Sequence, residues 1–184
     1  IMKKHTFIIA EIGVNHNGFL DLAKNLIDVA VDAGVDAVKL QTFKADKLVS
    51  QAAQKAEYQK QATAPDESQY EMIKKLELDE NAHRELIGYC NKKKIMFLST
   101  PFDLNSIDML NNLGVSIFKI PSGEITNLPY LRHVGSIGKE VILSTGMADL
   151  GEVEGALNIL IKEGLSREKI TILQSETRLT VSSV

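Results

Sequence analysis

The chain has 184 residues, of which 44% are hydrophobic and 24% are charged, and it carries a formal net charge of −3. The length suffices for one domain with a buried core, and the composition is that of an ordinary globular protein. The slightly acidic balance excludes the strongly basic surface of a nucleic-acid-binding protein, although a local basic pocket for an anion is compatible with it.

The single cysteine, Cys90, cannot form an intrachain disulfide, which is typical of proteins from a reducing compartment. Its position in a helical pattern with Leu86 and Ile87 indicates a small core residue rather than a reactive thiol. The sequence contains no recognisable signal peptide, lipidation motif or long apolar stretch. We therefore expect a cytoplasmic protein that binds neither membranes nor nucleic acids.

Six short apolar runs predict six β-strands, and most of them lead directly into reactive side chains. The runs are 7–10 before Glu11, 37–38 before Lys39 and Gln41, 95–98 before Thr100, 117–118 before Lys119 and Ser122, 141–143 before Ser144, and 170–173 before Gln174. Segments of helical period lie between them, at 20–31, 79–90, 103–113, 128–134 and 153–161. This alternation predicts parallel strands with helices outside them.

The second crossover, 44–78, is longer than the others, and we expect a partly helical lid there rather than a low-complexity linker. An open doubly wound sheet would place a glycine-rich phosphate turn after the first strand, and residues 11–18 lack that spacing. A closed eight-stranded barrel typically needs about 250 residues. The sequence therefore predicts an incomplete TIM-type (β/α) barrel with about six of its eight strands, whose polar strand ends converge on one site.

Two lysines and three hydroxyl groups follow four of the predicted strands. Lys39, Lys119, Thr100, Ser122 and Ser144 together suit a phosphate or carboxylate ligand, because ammonium and hydroxyl groups donate hydrogen bonds to anions. The alternative is that both lysines simply reach solvent. We favour the anion site, because an unpaired ammonium inside a barrel is unfavourable.

Two carboxylates, Glu11 and Glu124, lie beyond the first and fourth strands. Each can bind a sugar hydroxyl or transfer protons, and each can equally be the salt-bridge partner of a nearby lysine. His16 lies between two asparagines in a turn-like loop, where a hydrogen-bonded structural histidine is expected rather than a metal ligand. We assign no metal ligand from the sequence.

Five motifs together resemble the sialic acid synthase family, which comprises N-acetylneuraminate synthase and its relatives for legionaminic and pseudaminic acids. They are IIAEIGVNHNG (8–18), VKLQTFKADKLVS (38–50), FLSTPFD (97–103), FKIPSGEITNLPYL (118–131) and ILSTGMADLGE (142–152). The resemblance implies a homodimeric barrel transferase of carbohydrate biosynthesis. Such an enzyme condenses phosphoenolpyruvate with an N-acylated amino sugar, such as N-acetylmannosamine, with the help of Mn²⁺ or Mg²⁺.

Carried over residue by residue, the resemblance also implies roles for the candidate site. Glu11 and Glu124 become the catalytic candidates, Glu11 together with Gln41 at the sugar and Glu124 as an acid or base. The phosphoenolpyruvate contacts implied by the resemblance are Lys39, Thr100, Lys119, Ser122 and Ser144.

The chain departs from the family pattern after the sixth strand. Residues 174–184 diverge from it, and we expect residues 1–184 to form a truncated synthase barrel without the C-terminal antifreeze-like domain. The last two strands, which carry the metal-binding histidines of the family, are also expected to be absent. Weak activity of the chain by itself follows from this expectation. Two alternatives are a Schiff-base aldolase that uses Lys119 and a non-catalytic, degenerate fragment.

Overall fold

The computed structural model describes residues 5–49 and 68–174, and the chain divides into two compact units, Ile1–Met109 and Leu110–Val184. The lid expected over 44–78 is described only at its two ends, which are partly helical as predicted. Of the expected divergent segment 174–184, only Gln174 is described. The remainder of both segments lies outside the described residues.

The first unit contains three parallel strands in the order β1-β2-β3, separated by helices. Its elements are β1 (Ile9–Gly13), α1 (Leu20–Asp32), β2 (Ala37–Thr42), α2 (Ala45–Leu48), α3 (Gln69–Lys75), α4 (Glu80–Lys93), β3 (Met96–Pro101) and the greater part of α5 (Leu104–Asn112). Helices α1 and α4 cover the strands with apolar side chains. The fully buried residues of these two helices include Ala23, Ile27, Leu86 and Cys90.

Cys90 confirms the expectation of a core cysteine. Its side chain is completely buried, and burial raises the pKa of its thiol to about 12. The helix that carries it begins where the sequence predicts, because the Asp79 carboxylate accepts a hydrogen bond of 2.8 Å from the backbone N–H of Ala82. Asp103 caps α5 in the same way, through the N–H of Ser106.

The second unit repeats the pattern with parallel strands in the order β4-β5-β6. Its elements are β4 (Ile117–Ile120), a 3₁₀ turn (Ser122–Glu124), α6 (Leu128–Ile137), β5 (Glu140–Ser144), α7 (Leu150–Lys162), a second 3₁₀ turn (Arg167–Lys169) and β6 (Ile170–Leu173). Its core is built from alternate strand residues and one face of each helix. Completely buried examples are Phe118, Leu131, Leu143 and Leu160.

The strands extend further toward their carboxyl ends than the apolar runs predict. β2 continues to Thr42 and β4 to Ile120, so Lys39 and Lys119 lie inside strands rather than after them. At the other end, β1 begins at Ile9, and the two preceding apolar residues are half-exposed. The difference arises because an apolar run ends at the first polar residue, whereas hydrogen-bonded strand pairing continues through buried polar residues such as Lys39 and Thr42.

No helix among residues 5–49 and 68–174 combines the length and the apolar character that crossing a bilayer requires.

A buried polar network lies on the face of β2 opposite to Lys39. The ring Nδ1–H of His83 donates to the carbonyl oxygen of Asp79 at 2.8 Å, so the other ring nitrogen accepts from the Thr42 hydroxyl at 2.7 Å. Thr42 also shares a 2.6 Å hydrogen bond with the hydroxyl of Ser99. All three of these side chains are buried, so the network joins α4 to β2 and β3 inside the core.

A second buried histidine, His16, lies in the loop after β1. Its Nδ1 accepts a hydrogen bond of 3.0 Å from the backbone N–H of Gly18, which agrees with the prediction of a hydrogen-bonded structural histidine. Its Nε2 has no hydrogen-bond partner among the described residues. Burial, reinforced by His83, lowers the pKa of the His16 ring, and burial likewise lowers the pKa of His83.

We predict that the folded chain loses stability as the pH falls from 7.5 to 5.5. The unfolded chain protonates both rings near pH 6.5, whereas the folded chain binds those protons only at lower pH, so each ring contributes up to about 1.4 kcal/mol per pH unit in this window. Urea unfolding at a series of pH values measures the slope. His83→Gln should flatten it, because it removes one of the two rings whose pKa is lowered. Equal slopes for the native chain and His83→Gln would contradict the assignment of this pH dependence to the His83 ring.

The loop after β1 packs directly on α3 through a glycine. Gly18 has a φ of +81°, and a Cβ atom there would lie only 2.1 Å from the backbone oxygen of Lys75. Because a backbone atom blocks the space, a side chain at Gly18 would push the loop and α3 apart. This contact therefore fixes the position of α3 over the carboxyl end of β1.

We predict that Gly18→Ala lowers the free energy of unfolding by about 2–4 kcal/mol, through backbone strain and the clash with Lys75 together. Gly34→Ala is the matched control, because Gly34 also has a positive φ, +72°, but has open space where a Cβ atom would be. The control should lose only about 1 kcal/mol. Urea denaturation of both variants measures the difference, and equal losses would show that the contact with α3 has no energetic weight.

Candidate functional site

In the first unit, a buried lysine is held between a carboxylate and a hydroxyl. The Nζ of Lys39 lies 2.7 Å from Oε2 of Glu11 and donates a hydrogen bond of 3.0 Å to Oγ1 of Thr100. Lys39 is 9% exposed and Thr100 2%, whereas the Glu11 side chain is 54% exposed. Glu11 thus forms a salt bridge with Lys39 while its carboxylate stays open to a ligand, and its catalytic role stays a prediction.

The strand register explains this cluster. Glu11 of β1 pairs with Lys39 of β2, and Gln41 of β2 pairs with Thr100 of β3. Because strand side chains alternate between the two faces of a sheet, Lys39 and Gln41 share one face while Thr42 lies on the other. The four predicted residues of the first unit therefore lie on neighbouring strands at adjacent register positions.

Gly13 keeps the space beside this cluster open. The pairing of β1 with β2 shifts register between Glu11 and Gly13, where the backbone takes a φ of +57°. A Cβ atom at Gly13 would lie 3.3 Å from Oε1 of Glu11 and 3.8 Å from Nε2 of Gln41. The Glu11 carboxylate and the Gln41 amide therefore flank the same point at the end of β1.

A cavity of about 390 Å³ lies next to Gln41. It is bounded by the carboxyl ends of the strands in the first unit and by α2 and α3. Besides Gln41 and Ile73, it is lined by Val14, Phe43, Leu48, Met72, Leu76 and Phe102. Sequence reasoning did not find this cavity, because its walls come from four separate segments, and only the expected lid at 44–78 pointed to part of it.

In the second unit, Lys119 of β4 is the counterpart of Lys39. Its Nζ donates hydrogen bonds to the backbone oxygen of Ile120, at 3.1 Å, and to the hydroxyl of Ser144. Lys119 is 7% exposed and Ser144 6%, so an ammonium and a hydroxyl are buried together at neighbouring strand ends. The structure brings these two predicted residues into direct contact.

Two further predicted residues follow β4 on the 3₁₀ turn. Ser122 begins the turn and is partly exposed. Glu124 ends it, and its Oε2 accepts a hydrogen bond of 2.6 Å from the side-chain amide of Asn127, the residue that caps α6. The roles of both residues, and the expectation that Lys39 and Lys119 bind one anion, stay predictions.

No group of three or more His, Cys, Asp or Glu side chains that could hold a metal ion is found within residues 5–49 and 68–174. Glu11, the acidic side chain of the first cluster, is joined to a lysine rather than to further oxygen or nitrogen ligands. The described residues therefore do not form a metal site by themselves.

The sequence also matches curated proteins. N,N'-diacetyllegionaminic acid synthase of Campylobacter jejuni is 61% identical over 96% of this chain and 52% of its own length. The enzyme of the same name from Legionella pneumophila is 56% identical over 83% of this chain and 43% of its own length. The chain therefore spans about half the length of the curated relatives it matches.

A solved structure shows the same fold. The N-acetylneuraminic acid synthetase of Leptospira borgpetersenii is 32% identical and superposes with a TM-score of 0.81, covering 95% of this chain and 55% of that chain. This agreement confirms the TIM-type (β/α) barrel class predicted from the sequence. Residues 26–182 match the profile of the NeuB family. The chain therefore belongs to the NeuB family, that of the sialic acid synthases.

Proposed function

We propose that the protein is a nonulosonic acid synthase that condenses phosphoenolpyruvate with an N-acylated amino sugar, such as N-acetylmannosamine, and releases phosphate. The observation that carries the proposal is the pair of buried lysines, each hydrogen-bonded to a hydroxyl on the neighbouring strand of its own unit. Family membership supports it, since the relatives named above are acid synthases.

The ammonium groups of Lys39 and Lys119 bind the phosphate and carboxylate of phosphoenolpyruvate, assisted by the hydroxyls of Thr100, Ser122 and Ser144. Each ammonium group is held by hydrogen bonds within its own unit, so each lysine side chain is already ordered when an anion arrives. Burial strengthens their attraction for the anion, because the surroundings screen charge less than water does.

The reaction forms a bond between C3 of phosphoenolpyruvate and the aldehyde carbon of the open-chain sugar, whose oxygen takes up a proton. Water then adds at C2 and gives up a proton, and the resulting tetrahedral intermediate loses phosphate by C–O cleavage. Glu11 and Gln41 hold the sugar, and Glu124 with Glu11 handles the protons. A divalent ion such as Mn²⁺ or Mg²⁺ would supply polarisation of the aldehyde. The residues that the structure describes do not form a site for it.

The names of these two relatives narrow the choice of sugar substrate. The Campylobacter and Legionella synthases are named for a product with two N-acetyl groups. Phosphoenolpyruvate contains no nitrogen, so both acetamido groups of such a product come from the sugar. We therefore infer that a doubly N-acetylated amino sugar is the preferred partner here, ahead of N-acetylmannosamine.

Binding of phosphoenolpyruvate tests the proposal. At a concentration of about 100 times Kd, it should stabilise the native chain by about 2.7 kcal/mol, which corresponds to a rise in Tm of roughly 5–10 °C. Lys39→Met and Lys119→Met should each lose most of that rise. Lys162→Met, a control on the exposed face of α7, should keep it. Absence of any shift in the native chain at millimolar phosphoenolpyruvate would refute the proposal.

A Schiff-base aldolase gives a different result. Treatment with a carbonyl substrate and borohydride would then attach the substrate covalently to Lys119, and mass spectrometry of the peptide that contains it would show the added mass. The synthase reaction passes through no such adduct. Trapping at Lys119 would therefore replace the synthase proposal with the aldolase alternative.

A further inference from the structure

Strands β2 and β3 are joined by two side-chain hydrogen bonds, one on each face of the sheet. On the face of the candidate site, Nζ of Lys39 donates to Oγ1 of Thr100 at 3.0 Å. On the opposite face, the hydroxyls of Thr42 and Ser99 share a hydrogen bond of 2.6 Å. All four residues are at most 9% exposed, so water competes little with either bond. Each bond therefore constrains how the two strands lie against each other.

The two bonds lean in opposite directions along the strands. Thr100 lies two residues beyond the residue of β3 that pairs with Lys39, toward the carboxyl end. Ser99 lies two residues before the residue that pairs with Thr42, toward the amino end. A slip of β3 along β2 in either direction would lengthen one bond and compress the other. The Thr42–Ser99 bond therefore resists any slip that changes the distance between Lys39 and Thr100.

His83 determines which hydroxyl donates in the Thr42–Ser99 bond. Burial lowers the pKa of His83, so its ring is neutral at neutral pH. Its Nδ1–H donates to the carbonyl oxygen of Asp79 at 2.8 Å, which leaves Nε2 as the acceptor for the Thr42 hydroxyl at 2.7 Å. Because Thr42 gives its one proton to His83, the hydroxyl of Ser99 donates to Thr42. This chain of bonds holds both hydroxyls in one orientation.

We propose that His83, Thr42 and Ser99, the His83 network, are positioning residues for the anion site. The network lies on the face of β2 opposite to Lys39, so it acts on a bound anion through Lys39 and Thr100 rather than by contact. By keeping these two groups together before the anion arrives, it reduces the ordering that binding requires. The inference rests on the proposed binding of phosphoenolpyruvate at Lys39 and Thr100.

Affinity for phosphoenolpyruvate tests the role of the network. Kd is measured by isothermal titration calorimetry at neutral pH, well below Tm, with folding of each variant verified by circular dichroism. Thr42→Val keeps the shape of the side chain but removes the hydroxyl, and it should weaken binding about fivefold. Thr42→Ser keeps the hydroxyl and should bind within about twofold of the native chain. Equal affinities of Thr42→Val and the native chain would overturn the proposal.

Ser99→Ala is a milder variant that decides the question if Thr42→Val does not fold. It removes the last donor of the chain of bonds and leaves the bond between Thr42 and His83 in place. Its affinity for phosphoenolpyruvate should also fall about fivefold. Native affinity in folded Ser99→Ala would likewise overturn the proposal.

Cys90→Ala separates positioning from a general loss of stability. It removes a completely buried group from α4, the helix that carries His83, without removing any member of the network. It should lower the free energy of unfolding but bind phosphoenolpyruvate within about twofold of the native chain. A loss of affinity as large as that of Thr42→Val would show that binding follows stability alone, against the proposal.

A double-mutant cycle determines whether the network acts through Thr100. In Thr100→Val the hydroxyl that the network positions is already absent, so adding Thr42→Val should change Kd less than about twofold. The full fivefold effect in that background would mean that the two residues act independently, which the proposal does not allow.

The two proposals fail in different ways. If phosphoenolpyruvate does not bind the native chain, the synthase function fails, and the positioning role fails with it. If it binds the native chain and Lys39→Met loses that binding, but Thr42→Val and Ser99→Ala keep native affinity, only the positioning role is overturned.

Discussion

Burial of a lysine ammonium inside a β-strand is the constraint on which the site depends. Removing such a group from water costs several kcal/mol unless acceptors surround it. In the first unit Glu11 and Thr100 supply those acceptors, and in the second unit Ser144 and a strand carbonyl contribute to them. The polar residues at these strand ends thus offset the cost of burying the two lysines. They also hold each ammonium group in place for the anion proposed to bind it.

Because side chains alternate between the two faces of a strand, β2 can carry a buried lysine without weakening the core. Lys39 and Gln41 take one face of the strand, and Thr42 takes the other, where it joins the His83 network. Gln41, on the face of the candidate site, and Thr42, on the face that supports the core, are thus consecutive residues. β2 tolerates polar groups on both faces because Thr42, on the face opposite to Lys39, is hydrogen-bonded to His83 and Ser99.

Much of this arrangement was predictable from the sequence. The apolar run 170–173 matches β6, and the Asp79 and Asp103 caps lie where the helical patterns begin. The carboxyl ends of β2 and β4 were predicted too early, since polar residues inside a strand carry no hydrophobic signal. Whether Glu11 pairs with a lysine could not be decided either, because that depends on register between strands.

The cavity illustrates what lay beyond sequence reasoning. Its walls require α3 to rest on the loop after β1, a contact made where Gly18 meets the backbone of Lys75. These residues are far apart in the chain, and neither belongs to an apolar pattern that indicates contact. A glycine in a motif rich in asparagine predicts a turn, but the partner that the turn approaches is determined only by the folded structure.

Because Cys90 is completely buried, its thiol can report on how often the core of the first unit opens. It is the chain's single cysteine, and a completely buried thiol with a pKa of about 12 is almost entirely protonated at neutral pH. Thiolate chemistry therefore requires α4 to separate from the strands beneath it. The rate at which an alkylating reagent modifies this sulfur thus measures how often the core of the first unit opens, without any engineered label.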